Sequence, residues 1–333
     1  MTERVIIDCD PGVDDSMAIF LAAAADDRKG TKQDLHPIHI EALTIVMGNN
    51  PDTTVLAKNA CRLLEMVGLE EVPVVVGCSN PLMRDFGGHG GMKFHGDNGF
   101  GNLRGVPAPS KPVAAGHAAS FIVDRCRESP GEITILTLGP LSNVALALRL
   151  CPELPQLARR IVVMGGVVNA RGNISPVAEA NFFNDPEAAH AVVSAHWRST
   201  SLVGLNVTTQ VRMTDEYVEA LATNAVGEFI RDISKHYRAA SNKYEGMDMP
   251  VHDPSAVMFI IKPELFPETT KCRLHVNCEG TLCRGVVVAD WVGHYEGKDA
   301  DPERVARHTP TEIAWKADSE GFLKLYKALI AEL

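Results

Sequence analysis

The 333-residue sequence predicts an α/β fold: a single open, mostly parallel β-sheet flanked by helices, with a ligand site at the carboxyl ends of its strands. Three observations carry that prediction. Short, almost uninterrupted runs of apolar and β-branched residues recur along the chain, as strands buried on both faces require. Helical patterns separate them, and βα alternation places helices on both sides of a parallel sheet. Polar, glycine-bearing turns follow several of the runs, which is where open parallel sheets bind ligands.

The first strand, residues 5–7, leads into Asp8-Cys9-Asp10-Pro11-Gly12-Val13-Asp14-Asp15 and then into an apolar helical run over residues 17–25. "DDRKGTKQD" at 26–34 reads as a solvated surface insertion. The second strand, 38–46, ends at Gly48-Asn49-Asn50. In "DTTVLAKNACRLLEMVG", Leu56, Ala60, Leu63, Leu64 and Val67 share one helical face, with Asp52 or Thr53 to cap its start and Gly68 its end. Strands follow at 72–76, 133–138 (ending Leu138-Gly139-Pro140), 161–164 (ending Met164-Gly165-Gly166) and 201–205. Two long stretches, "MRDFGGHGGMKFHGDNGFGN" and "HYRAASNKYEGMDMPVHDP", read as lids or binding loops. No Pro-, Gly- or Ser-rich linker and no repeat divides the chain, so residues 1–333 are expected to form one domain.

Composition narrows the function. With 45 % hydrophobic and 22 % charged residues the chain has material for a large core. A net charge of -10 without clustered Lys and Arg disfavours nucleic acid as a partner. The eight cysteines are scattered, with no pair at zinc or redox spacing, and read as reduced core residues. The longest apolar helical run is far short of a membrane span, and the chain enters a strand at once, so no membrane and a cytoplasmic location are expected.

The aspartates after the first strand pose the physical problem. Two carboxylates about 5 Å apart repel by roughly 3 kcal/mol at an effective dielectric of about 20, so four in eight residues call for a cation. Helix capping by Asp14 and Asp15 accounts for one or two of them. All-oxygen donors suit Ca²⁺ or Mg²⁺ rather than zinc, and calcium's roughly six to eight ligands leave room for substrate hydroxyls and a water.

These residues resemble the inosine-uridine-preferring nucleoside hydrolase family. Asp-x-Asp-Pro-Gly-x-Asp-Asp matches Asp8 to Asp15 without a gap, and "VMGN", "LGPLSN", "VVMGG", "GNISPVAEANFFNDPEAA" and "VHDPSAV" follow in family order over essentially the whole chain. The resemblance implies a Rossmann-like nucleoside hydrolase fold and calcium-dependent cleavage of ribonucleosides to base and ribose. It implies that Asp10, Asp15, Asp253 and the main-chain oxygen of Leu138, a position where threonine is common, hold Ca²⁺. Asp14 and Asn181 would grip the 2′ and 3′ hydroxyls, and Asn173 and Glu179 the 5′ end. Asn49 would stand near the attacking water and Met164 beneath the sugar, with Ala180 where some members carry phenylalanine.

The chemistry assigns three tasks. Cleavage passes through an oxocarbenium-like transition state. Asp10 would take the water's proton, the amide oxygen of Asn173 would face the growing sugar charge, and His252 would protonate the leaving base. His95 and Tyr244 are candidates for contact with the base, whereas His89 reads as a surface histidine. Purine-restricted members sandwich the base between tryptophans; here Val251 precedes His252 and Trp197, Trp291 and Trp315 lie outside both loops, which implies broader or pyrimidine-tolerant use. The resemblance further implies a homodimer or homotetramer acting in purine or pyrimidine salvage. Two other classes share features of the pattern: a haloacid dehalogenase-like phosphohydrolase, which also opens with Asp-x-Asp, and a non-catalytic sugar-binding protein.

Overall fold

The structure is a computed structural model that describes residues 2–30, 32, 34–87, 91–292 and 309–333. Its strands are β1 (Glu3–Cys9), β2 (Ile38–Ile45), β3 (Val74–Val76), β4 (Ile133–Thr137), β5 (Arg160–Met164), β6 (Thr200–Val203), β7 (Arg212–Met213), β8 (Met249–Pro250), β9 (Glu268–Val276), β10 (Val287–Asp290) and β11 (Thr311–Lys316). Among the described residues nine of them form one open sheet in the order β10-β9-β11-β6-β5-β4-β1-β2-β3, and β7 and β8 pair as a small antiparallel ribbon. From β3 to β11 every neighbouring pair is parallel; β9 and β10 add an antiparallel edge.

The six strands expected from the sequence are β1 to β6, with ends displaced by one or two residues. β6 stops at Val203 because Gly204 caps the next helix, Leu205–Thr208. The three further sheet strands escape a search for continuous apolar runs because they lie toward an edge: β9 opens with four exposed residues and then alternates.

Side-chain alternation along β1 sends Val5, Ile7 and Cys9 into one apolar core and Ile6 into the other, so helices are buried against both faces. Two helices on the first face, Val13–Ala24 and Asp253–Ile261, are buried at every residue and pack on each other. The helix Thr53–Met66 starts as expected, with Asp52 accepting from Thr54 N–H at 2.8 Å, and the chain leaves it through Gly68 at φ +63°. Strands β2 and β3 build outward from one side of β1 and β4 to β6 from the other. The reversal leaves a crevice between the ends of β1 and β4, where ligands of such sheets sit.

The structure corrects three expectations. Asp26, placed in a solvated insertion, is fully buried, although Arg28 and Lys29 beside it remain partly or well exposed. The second presumed loop is helical to Glu245, as the end of a 21-residue helix, Ala225–Glu245, closed by Gly246 at φ +67°. All eight cysteines are free, but Cys283 is exposed and Cys78 and Cys278 only half-buried. His89 lies outside the described residues. Among the described residues no helix is long and apolar enough to cross a membrane.

Asp26 closes the end of β2. Its carboxylate accepts from Ile40 N–H at 2.8 Å and from Arg28 Nε and Nη2, both at 2.7 Å. Burial alone would raise this carboxyl, but the bonds from Arg28 and Ile40 outweigh it and hold it below the usual carboxylate range. Asp26→Asn is therefore expected to cost about 2 kcal/mol in urea unfolding at pH 7, because it removes the charge from two bonds to Arg28, which keeps Glu71 and the Ile40 carbonyl as partners. A depressed folded pKa stabilises above the unfolded value, about 4, and that contribution disappears as pH falls through the folded pKa. The gap between wild type and variant should accordingly narrow below pH 4, and a gap that widens there would contradict the assignment.

Candidate active site

The turn after β1 is shaped by its own acids. Asp15, in the first turn of the helix Val13–Ala24, accepts from Asp10 N–H at 3.1 Å and Gly12 N–H at 3.0 Å, which folds Asp-Pro-Gly back over the helix start. Asn49, after β2, donates from its backbone to Asp10 Oδ2 at 2.6 Å, and its side-chain amide bridges Asp10 O at 3.0 Å and Asp15 Oδ2 at 2.8 Å. The Asp10 carboxylate fits only because two strand-end residues lack side chains. A Cβ at Gly48 would stand 1.9 Å from Asp10 Oδ2, and one at Gly139 would stand 2.6 Å from Oδ1.

Asp253 enters from the opposite side at the start of its own helix, with Pro254 following. Carboxylate oxygens of Asp14, Asp15 and Asp253 lie within 4.8 Å of one another, and all three residues are buried. The two helix N-termini favour anions here by less than about 1 kcal/mol each, too little to offset such crowding. Burial pushes Asp10, Asp14 and Asp253 well above the usual carboxylate range, and the charges of neighbouring aspartates push them further. Asp14 Oδ1 is buried without a hydrogen-bond partner. No lysine or arginine is among the described residues lining the cleft. A buried, oxygen-only, anionic donor set with an unpartnered lone pair fits a hard divalent cation.

Asp8 is set apart from the other three aspartates. It is fully buried below the cleft, and its Oδ1 accepts from Thr44 Oγ1 at 2.6 Å and Asn143 Nδ2 at 2.8 Å. Burial raises its carboxyl to about 7 against the pull of those two donors. Its place is in a network joining β1 to β2 and to the helix after β4.

The remaining expected residues come from four strand ends and the two long segments. Asn181 donates to the Leu138 carbonyl at 2.7 Å and reaches the Met164 carbonyl at 3.3 Å, drawing the ends of β4 and β5 together. Glu179 caps the helix Ala180–Asn184, with Oε1 accepting from Asn181 N–H at 2.8 Å and Oε2 from Gly166 N–H at 2.8 Å. Burial raises its carboxyl to about 7 despite these bonds. Asn173 lines the cleft, but its Oδ1 accepts from Ala180 N–H at 3.0 Å, which turns the NH₂ away from that bond. The amide oxygen expected to face the sugar is thus already held by one backbone donor, with its second lone pair left over.

Both histidines are neutral. His95 Nδ1 accepts from Val13 N–H at 3.0 Å, so the ring clamps the aspartate turn, and burial lowers it to about 3. The Asp14 oxygen 3.6 Å from that nitrogen is thus no ion-pair partner. His252 Nδ1 meets Thr208 Oγ1 at 2.7 Å, and burial lowers the ring to about 4, against the expectation of a group titrating near neutrality. Tyr244 lies on the rim, 49 % exposed, with Lys93 Nζ 3.4 Å from its ring centroid; it lines an outer cavity rather than the acidic cleft. Phe94, Tyr237 and Glu245 line the cleft instead and were missed. Tyr237 and Glu245 stand eight residues apart on one face of the long helix, a signal available once that stretch is read as helical.

Comparison with known proteins agrees with this geometry. Residues 5–324 match the family model described as inosine-uridine preferring nucleoside hydrolase. Uridine nucleosidase 1 of Arabidopsis thaliana is 35 % identical across 98 % of this chain and 92 % of its own. The inosine-uridine preferring nucleoside hydrolase of Leishmania major is 35 % identical across 87 % of this chain and 88 % of its own. Among solved structures, a plant nucleoside hydrolase superposes with a TM-score of 0.88 at 30 % identity, covering 99 % of both chains.

Proposed function

Because the chain belongs to the inosine-uridine preferring nucleoside hydrolase family, and so is an enzyme that hydrolyses the N-glycosidic bond of ribonucleosides, we propose that it does so with Ca²⁺ and with uridine and inosine among its substrates. The observation that carries the calcium reading is the buried carboxylate cluster with no lysine or arginine among the described residues lining the cleft. Asp10, Asp15, Asp253 and the Leu138 carbonyl would hold the ion. When bound, it supplies Lewis-acid polarisation and a frame for the ribose diol.

The chain's own residues divide the rest of the work. Asn49 N–H fixes Asp10 Oδ2, leaving Oδ1 to take a proton from the attacking water. Asp14 Oδ1 accepts a ribose hydroxyl, for which it has a free lone pair. Asn181 sets the Leu138 and Met164 carbonyls, Met164 packs beneath the sugar, and Asn173 and Glu179 close its 5′ side. With Thr208 donating to Nδ1, His252 presents Nε2–H to the leaving base, as a neutral donor at pH 7. His95 keeps the aspartate turn in place from the base side. Salvage of purines or pyrimidines, a cytoplasmic location and a homodimer or homotetramer complete the reading on the family resemblance.

His252→Ala is expected to lower kcat on uridine and inosine by about 10²-fold, and much less on p-nitrophenyl riboside, whose leaving group needs no help. Equal losses on all three would make His252 a positioning residue only. The function itself is tested by assaying inosine, guanosine, adenosine, uridine and cytidine for free ribose. Release of phosphate from a phosphomonoester, with no ribose from any nucleoside, would favour the phosphohydrolase reading instead.

A further inference from the structure

Above the acidic floor, the cleft is walled by Phe94 and Tyr237, with ring centroids 5.5 Å apart. Glu245 lines the cleft beside them and also borders the adjoining outer cavity, so it stands where the two spaces meet. Glu245 Oε2 is buried without a hydrogen-bond partner. It sits in the last turn of the helix Ala225–Glu245, where the dipole disfavours an acid, with the Ser241 hydroxyl one turn back on the same helix as its only support there among the described residues. Burial raises its carboxyl above the usual range, and Lys93 at the rim and the Ser241 hydroxyl work against that rise.

A flat base lying along the two rings brings the edge remote from its glycosidic nitrogen to this oxygen. A carboxylate only accepts hydrogen bonds, so it discriminates by what that edge offers. Uracil, hypoxanthine and guanine present a ring N–H there; cytosine and adenine present an unprotonated ring nitrogen, whose lone pair opposes that of the carboxylate, and their only donor on that edge is the exocyclic amino group displaced to its side. Resting on the nucleoside hydrolase reading, we propose that Glu245 is a specificity-determining residue that selects nucleosides whose base carries a ring N–H on its outer edge. The N–H becomes a weaker donor as the departing base gains electron density, so the selection is exerted on the bound substrate and appears chiefly in KM.

The test compares kcat and KM of wild type and Glu245→Gln on uridine, cytidine, inosine, adenosine and p-nitrophenyl riboside. Wild type should favour uridine over cytidine and inosine over adenosine by about 10- to 100-fold in kcat/KM, as expected for a charge-assisted bond made or lost. The isosteric amide both donates and accepts, so both ratios should fall to within about threefold. The loss on uridine should lie mainly in KM and exceed that on p-nitrophenyl riboside. Unchanged ratios in the variant, or a wild type that does not discriminate, would overturn the role of Glu245 while nucleoside hydrolysis stands. Absence of ribose release from every nucleoside would instead remove the reading on which it rests.

Discussion

Asp10→Asn is expected to lower kcat on uridine by about 10²- to 10⁴-fold at saturating Ca²⁺, the range removal of a general base produces. Asparagine keeps the shape and can still accept from Asn49 N–H, now 2.6 Å from Asp10 Oδ2, but it cannot take a proton. Stability should move the other way. Burial and the Asp15 charge already push the Asp10 carboxyl well above its usual range, so losing this charge relieves repulsion, and in chelator the variant should unfold at or above the wild-type temperature. Activity lost with stability kept separates a chemical role from a structural one. Wild-type turnover in the variant would remove Asp10 from the base role.

Gly48→Ala should reproduce much of that loss without touching an acid. The added methyl would stand 1.9 Å from Asp10 Oδ2, so the carboxylate must rotate and give up the Asn49 N–H bond. A displacement of about 1 Å at a reacting group costs roughly 10²-fold, and a loss of that size in kcat is expected. Because both changes act through one carboxylate, Gly48→Ala combined with Asp10→Asn should be little worse than Asp10→Asn alone. Losses that multiply would show that Gly48 serves some other group.

The comparison of these two residues shows what a sequence carries and what it does not. Asp10 was legible because a run of acids after an apolar strand has few physical explanations. Gly48 drew notice only as part of a polar turn; that it makes room for a carboxylate from another strand depends on the β1–β2 register. The parallel centre of the sheet was legible because doubly buried strands are uniformly apolar. The β9–β10 edge was not, because exposed strands mix polar and apolar residues. Tyr237 and Glu245 were hidden by reading a polar, glycine-flanked stretch as a loop, when its face at four-residue spacing is a helix wall of the cleft. Asp8 counted as one more charge for a cation, whereas Thr44 and Asn143 hold it below the cleft.

The central claim is that the acids at the ends of β1 and at Asp253 seat a divalent cation on which hydrolysis depends. Its most direct measurement strips the protein with a chelator, then adds Ca²⁺ in steps while following both the unfolding temperature and ribose release from uridine. Binding to the folded state alone should add about 2.7 kcal/mol of stability at a hundredfold excess over Kd, and activity should return over the same concentration range. Full ribose release in chelator, or an unfolding temperature indifferent to Ca²⁺, would contradict it.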